Sequence, residues 1–359
     1  VTRRVVIAGG GTGGHIFPGL AVAEELLRLG IEVHWLGARR GMESSIVGQR
    51  DIPLELVEIE GIQGRSRAAA LRALGQLPSA VAAGVRMMLR LEPVAVLGVG
   101  GYASAAGVLA AGLVGVPWAL QEQNAIPGWT NRVAAPWADL ICCGFEQALL
   151  HFPSLPAEWT GNPVREEFFE IPEPEPADPP RLLVLGGSQG SLFLNRTLPR
   201  ALAHLAARGL RPRIAHQAGV RWAEVVATAY RDEGLEADVA AFLTEPWRTL
   251  AGADLVVARA GALTVSELAA AGRPALLIPF AAAAGGHQEH NARALERAGG
   301  AVVLREPEAT PDRVAETLAG LLASPGRLAA MGRAARTLAR PGAAARIARR
   351  LLAVGGGGP

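Results

Sequence analysis

Residues 9–15 read GGGTGGH, directly after the apolar run VVIA. Gly9, Gly11 and Gly14 fit G-x-G-x-x-G, a spacing that lets backbone amides approach a pyrophosphate at a helix N-terminus. A dinucleotide site of that kind also needs an acidic residue about 20 positions further on to hold a ribose hydroxyl. Here the second strand reads EVHWLG (32–37) and is followed by Ala38, Arg39 and Arg40. NAD is therefore disfavoured. An arginine there suits a 2′-phosphate, which keeps an NADP-dependent oxidoreductase open, while His15 and Pro18 are out of keeping with a bland opening helix.

Three further glycine-bearing turns follow strand-like runs: GVGGYASAAG (98–107), GGSQG (186–190) and ARAGALTVSE (258–267). In the last, Gly261 precedes a helix whose first turn offers unpaired amides beside the hydroxyls of Thr264 and Ser266, which makes an anion site. Capping by Thr264 or Ser266, with Glu267 in a capping box, is the alternative, and the two are compatible. In PFAAAAGGHQEHNARAL (279–295), His287 and His290 lack a third ligand at metal spacing, and H-E-x-x-H is absent, so no metal is expected. Gln288 and Asn291 share the spacing of three. Two amides at a helix start can read sugar hydroxyls, which need donors and acceptors, or can simply be exposed polar residues. The chain has no D-x-D pair for a metal-bound nucleotide sugar, so helix ends and donors would have to stabilise a departing diphosphate. Without G-K-[ST], phosphoryl transfer from ATP is set aside.

The elements that must position these turns alternate: RRVVIA, PGLAVAEELLRLG, EVHWLG, and later AVLGVG, SAAGVLAAGL, PWALQEQ. That alternation implies an α/β fold with a parallel, doubly wound sheet. The acidic, proline-dense IPEPEPADPP (171–180) reads as an extended linker. After it the opening repeats, because RLLVLGGSQGSLFLNRTL (181–198) is again strand, glycine turn, helix. Two Rossmann-like domains separated by a deep cleft follow: 1–163, 164–340 including the linker, and 341–359 as a helix that can pack back on the first domain, with a flexible tail. Ligands should bind outside the carboxyl ends of the strands.

Composition narrows the class. The 359 residues are 50% hydrophobic with a net charge of +2, and all 35 basic side chains are arginine. They are scattered without interleaved stacking aromatics, so no nucleic acid is expected. Cys142 and Cys143 are adjacent in a strand-like run, as in a reduced, cytoplasmic protein. Arg3, Arg4 and VVIA mimic a signal peptide, but the glycines cut its apolar stretch short, so it should be retained. The uncharged run 95–120 is long enough to span a bilayer, yet its glycines divide it into strand, loop, helix and strand. Between Gly64 and Arg90, apolar residues interleave with five arginines and no acid. This reads as an amphipathic helix pair packed on the core or, as preferred here, as peripheral contact with an anionic membrane surface through Leu74, Leu77 and Val81.

GGTGGHIFPGLAVAEEL, LGVGGYASAAG, QEQNAIPG, GNPVR, GGSQG, ARAGALTVSELAAAGRPALLIPF and HQEHNA occur in an order that resembles the MurG family of bacterial N-acetylglucosaminyltransferases. The resemblance covers nearly the whole chain. It implies the GT-B fold, with the acceptor bound mainly by the first domain and the donor by the second, and no cofactor. It implies transfer of N-acetylglucosamine from UDP-N-acetylglucosamine, with inversion, to the C4 hydroxyl of undecaprenyl-pyrophosphate-linked muramoyl pentapeptide (lipid I). A peripheral position on the cytoplasmic face of the cell membrane follows. Carried over by motif, Thr12, Gly13 and Gly14 lie near the sugar and diphosphate, and Asn124 and Arg165 contact the donor. Ser188 and the helix start Ala262, Leu263, Thr264, Val265 and Ser266 bind the pyrophosphate, Glu267 the ribose, the Leu243 backbone the uracil, and Gln288 and Asn291 the N-acetylglucosamine. His15 is the candidate for proton transfer or acceptor-diphosphate contact, and Glu122 is the alternative base. A UDP-sugar epimerase or a non-catalytic sugar-nucleotide binder on the same fold is the remaining rival. Two departures stand out: Gln121 where histidine is common, and Gly285 and Gly286 where acidic residues are common.

Overall fold

The computed structural model describes residues 3–11, 13–59, 67–187 and 189–356, with the backbone alone over 67–74 and at 284. It divides into two compact units, Val1–Val164 with Arg340–Pro359, and Arg165–Ala339.

The first unit is built on strands β1 (Arg4–Ala8), β2 (Glu32–Ala38), β3 (Leu54–Val57), β4 (Ala95–Gly98), β5 (Trp118–Glu122), β6 (Leu140–Cys143) and β7 (Ala157–Trp159). They form one parallel sheet in the order β3-β2-β1-β4-β5-β6-β7. A parallel sheet carries its crossover helices on both faces, so its central strands must be apolar throughout. Every residue of β4, β5 and β6 is buried. One face packs Ile16, Leu20 and Leu26 of the helix Gly13–Arg28 with Ile347, Ala348 and Leu351 of the helix Ala343–Val354. The other packs Met87 and Met88 of the helix Arg67–Leu91 with Ala106 and Val108 of the helix Tyr102–Val114. The uncharged run 95–120 is thus strand, loop, helix and strand, as its glycines imply.

Strands β8 (Arg181–Leu185), β9 (Arg213–Gln217), β10 (Ala237–Ala240), β11 (Leu255–Ala258), β12 (Ala275–Leu277) and β13 (Ala301–Val303) form the second sheet, ordered β10-β9-β8-β11-β12-β13. Counted from its own first strand, the first sheet runs 3-2-1-4-5-6-7 and the second 3-2-1-4-5-6, so in both the order reverses between the first and fourth strands. Ligands of such sheets bind at that switch point. It is flanked in the first unit by the turns after β1 and β4, and in the second by those after β8 and β11. All four are the glycine turns singled out above.

One expectation needs revision. Residues 67–91 form one helix, not a pair, and Leu77 and Val81 pack against the core beneath it. The side chain of Leu74 lies outside the described residues. A strongly amphipathic pattern cannot distinguish a face turned to core from one turned to lipid, and here part of the proposed lipid face is core. Among the described residues no helix is long and apolar enough to cross a membrane. The segment 171–180, in turn, lies inside the second unit. The fully buried Arg273 fastens its start by donating to the carbonyls of Leu250 (2.7 Å), Ala251 (3.0 Å) and Pro172 (3.1 Å). Arg336 donates to the Ile171 carbonyl. Burial pulls the Arg273 pKa down to about 10, helped by Arg336 and Arg181, and the group stays charged at neutral pH.

Candidate active site

In the second unit the turn after β8 leads into the helix Leu192–Ala207, whose N-cap Ser191 accepts from the Leu194 amide at 3.3 Å. The turn after β11 leads into the helix Ala262–Ala271, whose N-cap Gly261 supplies no side chain. Between these two helix starts lies a cavity of about 730 Å³, lined among others by Gly187, Gln189, Arg196, Arg259, Thr264 and Gln288. The Val265 amide already donates to the Gly261 carbonyl at 3.0 Å. Only the amides of Ala262, Leu263 and Thr264 are therefore open, as helix geometry leaves them. Aligned helix dipoles make this end attractive to an anion.

That geometry corrects part of the motif reading. Val265 is core, with its side chain buried and its amide used inside the helix. The Ser266 hydroxyl donates back to the Ala262 carbonyl at 2.9 Å. A capping-box carboxylate belongs three positions after the N-cap, a place held by Thr264, so Glu267 does not cap this helix. It is half-buried and has no hydrogen bond among the described residues. Burial pushes its carboxyl up to about 7, against the opposing pull of Arg165. Arg165 itself stacks on Trp247, its guanidinium carbon 4.2 Å from the ring centroid. Leu243 is in the loop between β10 and the helix Pro246–Ala251. Ser188 lies outside the described residues.

The amide pair of the helix His287–Arg297 also has a different first task. Gln288 Oε1 accepts from the amides of Ala260 (3.2 Å) and Phe280 (3.0 Å). Asn291, fully buried, donates to the Ala260 carbonyl at 3.2 Å. Their shared spacing grips both polar groups of one backbone unit, which takes Asn291 off the list of surface sugar readers. Gln288 still lines the cavity, and its Nε2 has no partner among the described residues. Gly285 and Gly286 adopt left-handed φ of 61° and 67°, a conformation glycine takes without strain.

Arg259 escaped the sequence reading. Its Nε donates to Ser191 Oγ (2.8 Å), its Nη1 to Glu306 (2.8 Å) and to the Ile278 carbonyl (3.1 Å), and it lies over the rings of Phe193 and Phe280. Burial lowers its pKa and Glu306 opposes that shift. The available signal was an arginine immediately after the buried run LVVA, at the carboxyl end of a central strand.

The first unit treats its glycine turn differently. Glu43, fully buried, accepts through Oε1 from the amides of Gly11 (2.9 Å) and Ala38 (2.9 Å). A Cβ on Gly10 would lie 1.7 Å from that oxygen. The Glu43 carboxylate thus takes the Gly11 amide in the turn that a dinucleotide pyrophosphate would need, which weighs against the NADP reading. Gly13 and Gly14 open the helix Gly13–Arg28, and Thr12 lies outside the described residues. His15 follows them, half-buried, with Nδ1 3.3 Å from Gln123 Oε1.

Glu122 is also corrected. Its carboxylate is buried and accepts four bonds: from the Asn124 amide (2.8 Å), Asn124 Nδ2 (3.1 Å), the Gly128 amide (3.0 Å) and Asn131 Nδ2 (2.8 Å). Burial raises its pKa, and those donors pull the other way. The group holds the loop 124–131 and is not presented to a substrate as a base. Asn124, expected at the donor, is tied by its side chain into the same arrangement. Among the described residues no three His, Cys, Asp or Glu side chains converge as a metal site.

Glu122→Gln should therefore cost stability. An amide has one acceptor oxygen, so donors now facing the second oxygen are left unsatisfied, at roughly 1–3 kcal/mol each. Two donors face each oxygen, so denaturant unfolding should show a loss of roughly 2–6 kcal/mol. Unchanged stability with abolished turnover would restore the assignment as base.

Comparison with known proteins agrees with this geometry. Residues 5–142 match the glycosyltransferase family 28 N-terminal domain, and residues 181–347 match its C-terminal domain. The chain is 45% identical to the UDP-N-acetylglucosamine–N-acetylmuramyl-(pentapeptide) pyrophosphoryl-undecaprenol N-acetylglucosamine transferase of Stutzerimonas stutzeri (strain A1501), over 96% of each chain. It is 45% identical to the protein of the same name from Nitrosococcus oceani, over 99% of each. Among solved structures, Acinetobacter baumannii MurG superposes with a TM-score of 0.81 at 32% identity, covering 98% of this chain and 99% of that one. The two sheets, the paired glycine turns and the anion-binding helix starts are thus those of a nucleotide-sugar glycosyltransferase, and the chain belongs to glycosyltransferase family 28, in its MurG branch.

Proposed function

We infer that the chain is an inverting glycosyltransferase that moves N-acetylglucosamine from UDP-N-acetylglucosamine to the C4 hydroxyl of lipid I, giving lipid II and UDP. The observation that carries this reading is the anion cavity of the second unit, in a chain similar throughout its length to transferases named for these substrates. The diphosphate would sit on the open amides of Ala262, Leu263 and Thr264 and on the turn 186–190 that includes Ser188, with Arg259 and Arg196 supplying positive charge. Glu267 would accept from the ribose hydroxyls, Gln288 would donate to the N-acetylglucosamine, the Leu243 backbone would meet the uracil, and Arg165 would complete donor recognition. On the acceptor side stand the turn Thr12, Gly13, Gly14 and His15. The hydroxyl oxygen forms the new bond to C1 with its lone pair, and the C1–O bond to the diphosphate breaks with its electrons leaving on UDP. Helix ends and guanidinium groups already in place stabilise that charge at no reorganisation cost.

The direct test is transfer of labelled N-acetylglucosamine to a lipid I analogue. Label appearing in lipid only when both substrates are present supports the reading, and conversion of the donor without acceptor would indicate an epimerase.

Glu267 gives a sharper prediction. Its carboxyl is raised to about 7 in the protein, and bonds from ribose hydroxyls favour the ionised form. UDP binding should release a proton, and affinity should rise as pH rises through 7. Glu267→Gln should flatten that contribution, the diphosphate's own titration being common to both proteins. Loss of a charge-assisted contact in Glu267→Ala is worth roughly 1.5–3 kcal/mol, or about 10- to 150-fold in affinity by calorimetry. A wild-type pH dependence identical to that of Glu267→Gln refutes the ribose assignment.

A polyprenyl acceptor requires the enzyme to reach a bilayer, and the anionic cytoplasmic membrane surface is the proposed partner. The supporting surface is the helix Trp129–Ala134 and the turn Ala135–Trp137, where Trp129 is 57% and Trp137 is 73% exposed, with Val133 and Arg132 on the same stretch. Indole rings favour the headgroup region, and a basic residue beside them favours anionic lipid. The double variant Trp129→Ser with Trp137→Ser should sediment less with anionic vesicles while still glycosylating a short-chain soluble acceptor. Undiminished sedimentation overturns this placement.

A further inference from the structure

Beneath the turn after β4 runs a chain of three buried amide side chains, none of them among the residues assigned above. Asn162, in the loop after β7, donates through Nδ2 to the Gln123 carbonyl at 2.9 Å. A carbonyl only accepts, so this end of the chain has a fixed direction. Asn162 Oδ1 then accepts from Gln121 Nε2 at 3.1 Å, and Gln121 Oε1 accepts from Gln123 Nε2. Gln123 Nε2 also donates to the Val99 carbonyl at 2.7 Å, a second fixed point. With both ends pinned by backbone carbonyls, no amide can flip without breaking a bond. Gln121, Gln123 and Asn162 are at most 4% exposed, so an unmet group would not find solvent.

The remaining acceptor, Gln123 Oε1, faces His15 Nδ1 at 3.3 Å. The ring is also confined from the side, since a Cβ on Gly100 would fall 2.7 Å from Nδ1. An amide oxygen cannot donate, so Nδ1 must carry the proton. We propose that Gln123 is a positioning residue that holds His15 as the Nδ1–H tautomer, through an amide relay fixed by Gln121 and Asn162, and so places the lone pair of the neutral ring on Nε2. Gln121, where histidine is common in the family, has a defined place as the middle of that relay. Because the relay is neutral it orients the ring without adding a charge beside it. The functional half of the proposal rests on the glycosyltransferase reading: as the acceptor oxygen bonds to C1 and the diphosphate leaves with the C1–O electron pair, the hydroxyl proton passes to Nε2.

Ring ¹⁵N shifts of histidine-labelled full-length protein, with the His15 signals assigned by their loss in His15→Ala, read the tautomer without any substrate. Above the ring's titration, the wild type should show protonated Nδ1 and bare Nε2. Gln123→Leu should shift the ring toward Nε2–H and lower kcat for transfer at least about tenfold, within the range of general-base effects, with donor KM unchanged. In a His15→Ala background, Gln123→Leu should lower kcat no further. A wild-type ring in the Nε2–H form overturns the proposal, as does a Gln123→Leu loss that persists undiminished without His15. If Gln123→Leu fails to fold, judged by thermal unfolding and UDP titration, the wild-type spectrum still decides. A ring in the Nδ1–H form whose tautomer changes with no effect on kcat supports the relay and removes His15 from proton transfer, so the two halves fail separately.

Discussion

Backbone N–H groups left open where a strand turns into a helix must find an acceptor, and the two sheets of this chain answer that demand in opposite ways. In the first unit a side chain supplies the acceptor: Glu43 takes the amide of Gly11 from 32 residues away. In the second, the amides at the start of the helix Ala262–Ala271 have no partner among the described residues. One strand order thus yields one turn in which a carboxylate takes the Gly11 amide and one whose first helical amides are left open. An anion is attracted to the second.

The polar groups around these turns follow the same logic. Glu122, Asn131, Gln121, Gln123 and Asn162 are all at most 4% exposed. Groups so deep are tolerable when bonded, and apart from Asn131 Oδ1, which has no partner among the described residues, their bonds rigidify what they touch. In the first unit that rigidity is delivered to the loop 124–131 and to His15. In the second, Gln288 and Asn291 do the equivalent for Ala260, immediately before the anion-binding helix. Side chains that resembled substrate readers are in good part the supports of neighbouring loops.

What the sequence revealed divides along the same line. Elements formed by neighbours were legible: the alternation of strand and helix, the tandem repeat after residue 180, and Gly261 as the start of a helix. The spacing of Gln288 and Asn291 correctly put them on one face, but the Ala260 backbone that occupies that face is 31 residues from Asn291. Glu43 and the amide relay were invisible for the same reason, since their partners meet only when β1, β4 and β5 are assembled. Leu77 and Val81 show a different limit, because an apolar stripe beside arginines has one signature whether core or lipid covers it. Arg259 adjoins a glycine turn and follows a buried strand, but its partners Ser191 and Glu306 lie 68 and 47 residues away and meet it only on folding.

The helix Ala343–Val354 belongs to the first unit although the whole of the second unit precedes it. Ile347, Ala348 and Leu351 cover apolar side chains contributed by β4, β5 and β6, beside the helix Gly13–Arg28. During synthesis, residues up to 164 emerge with that face bare and remain so while another 175 residues, Arg165–Ala339, are added. At about 5–20 residues per second, the first unit waits on the order of ten seconds or more for its last piece. The second unit, contiguous in the chain, can close on the ribosome as soon as it has emerged, so the domain translated second is able to finish first.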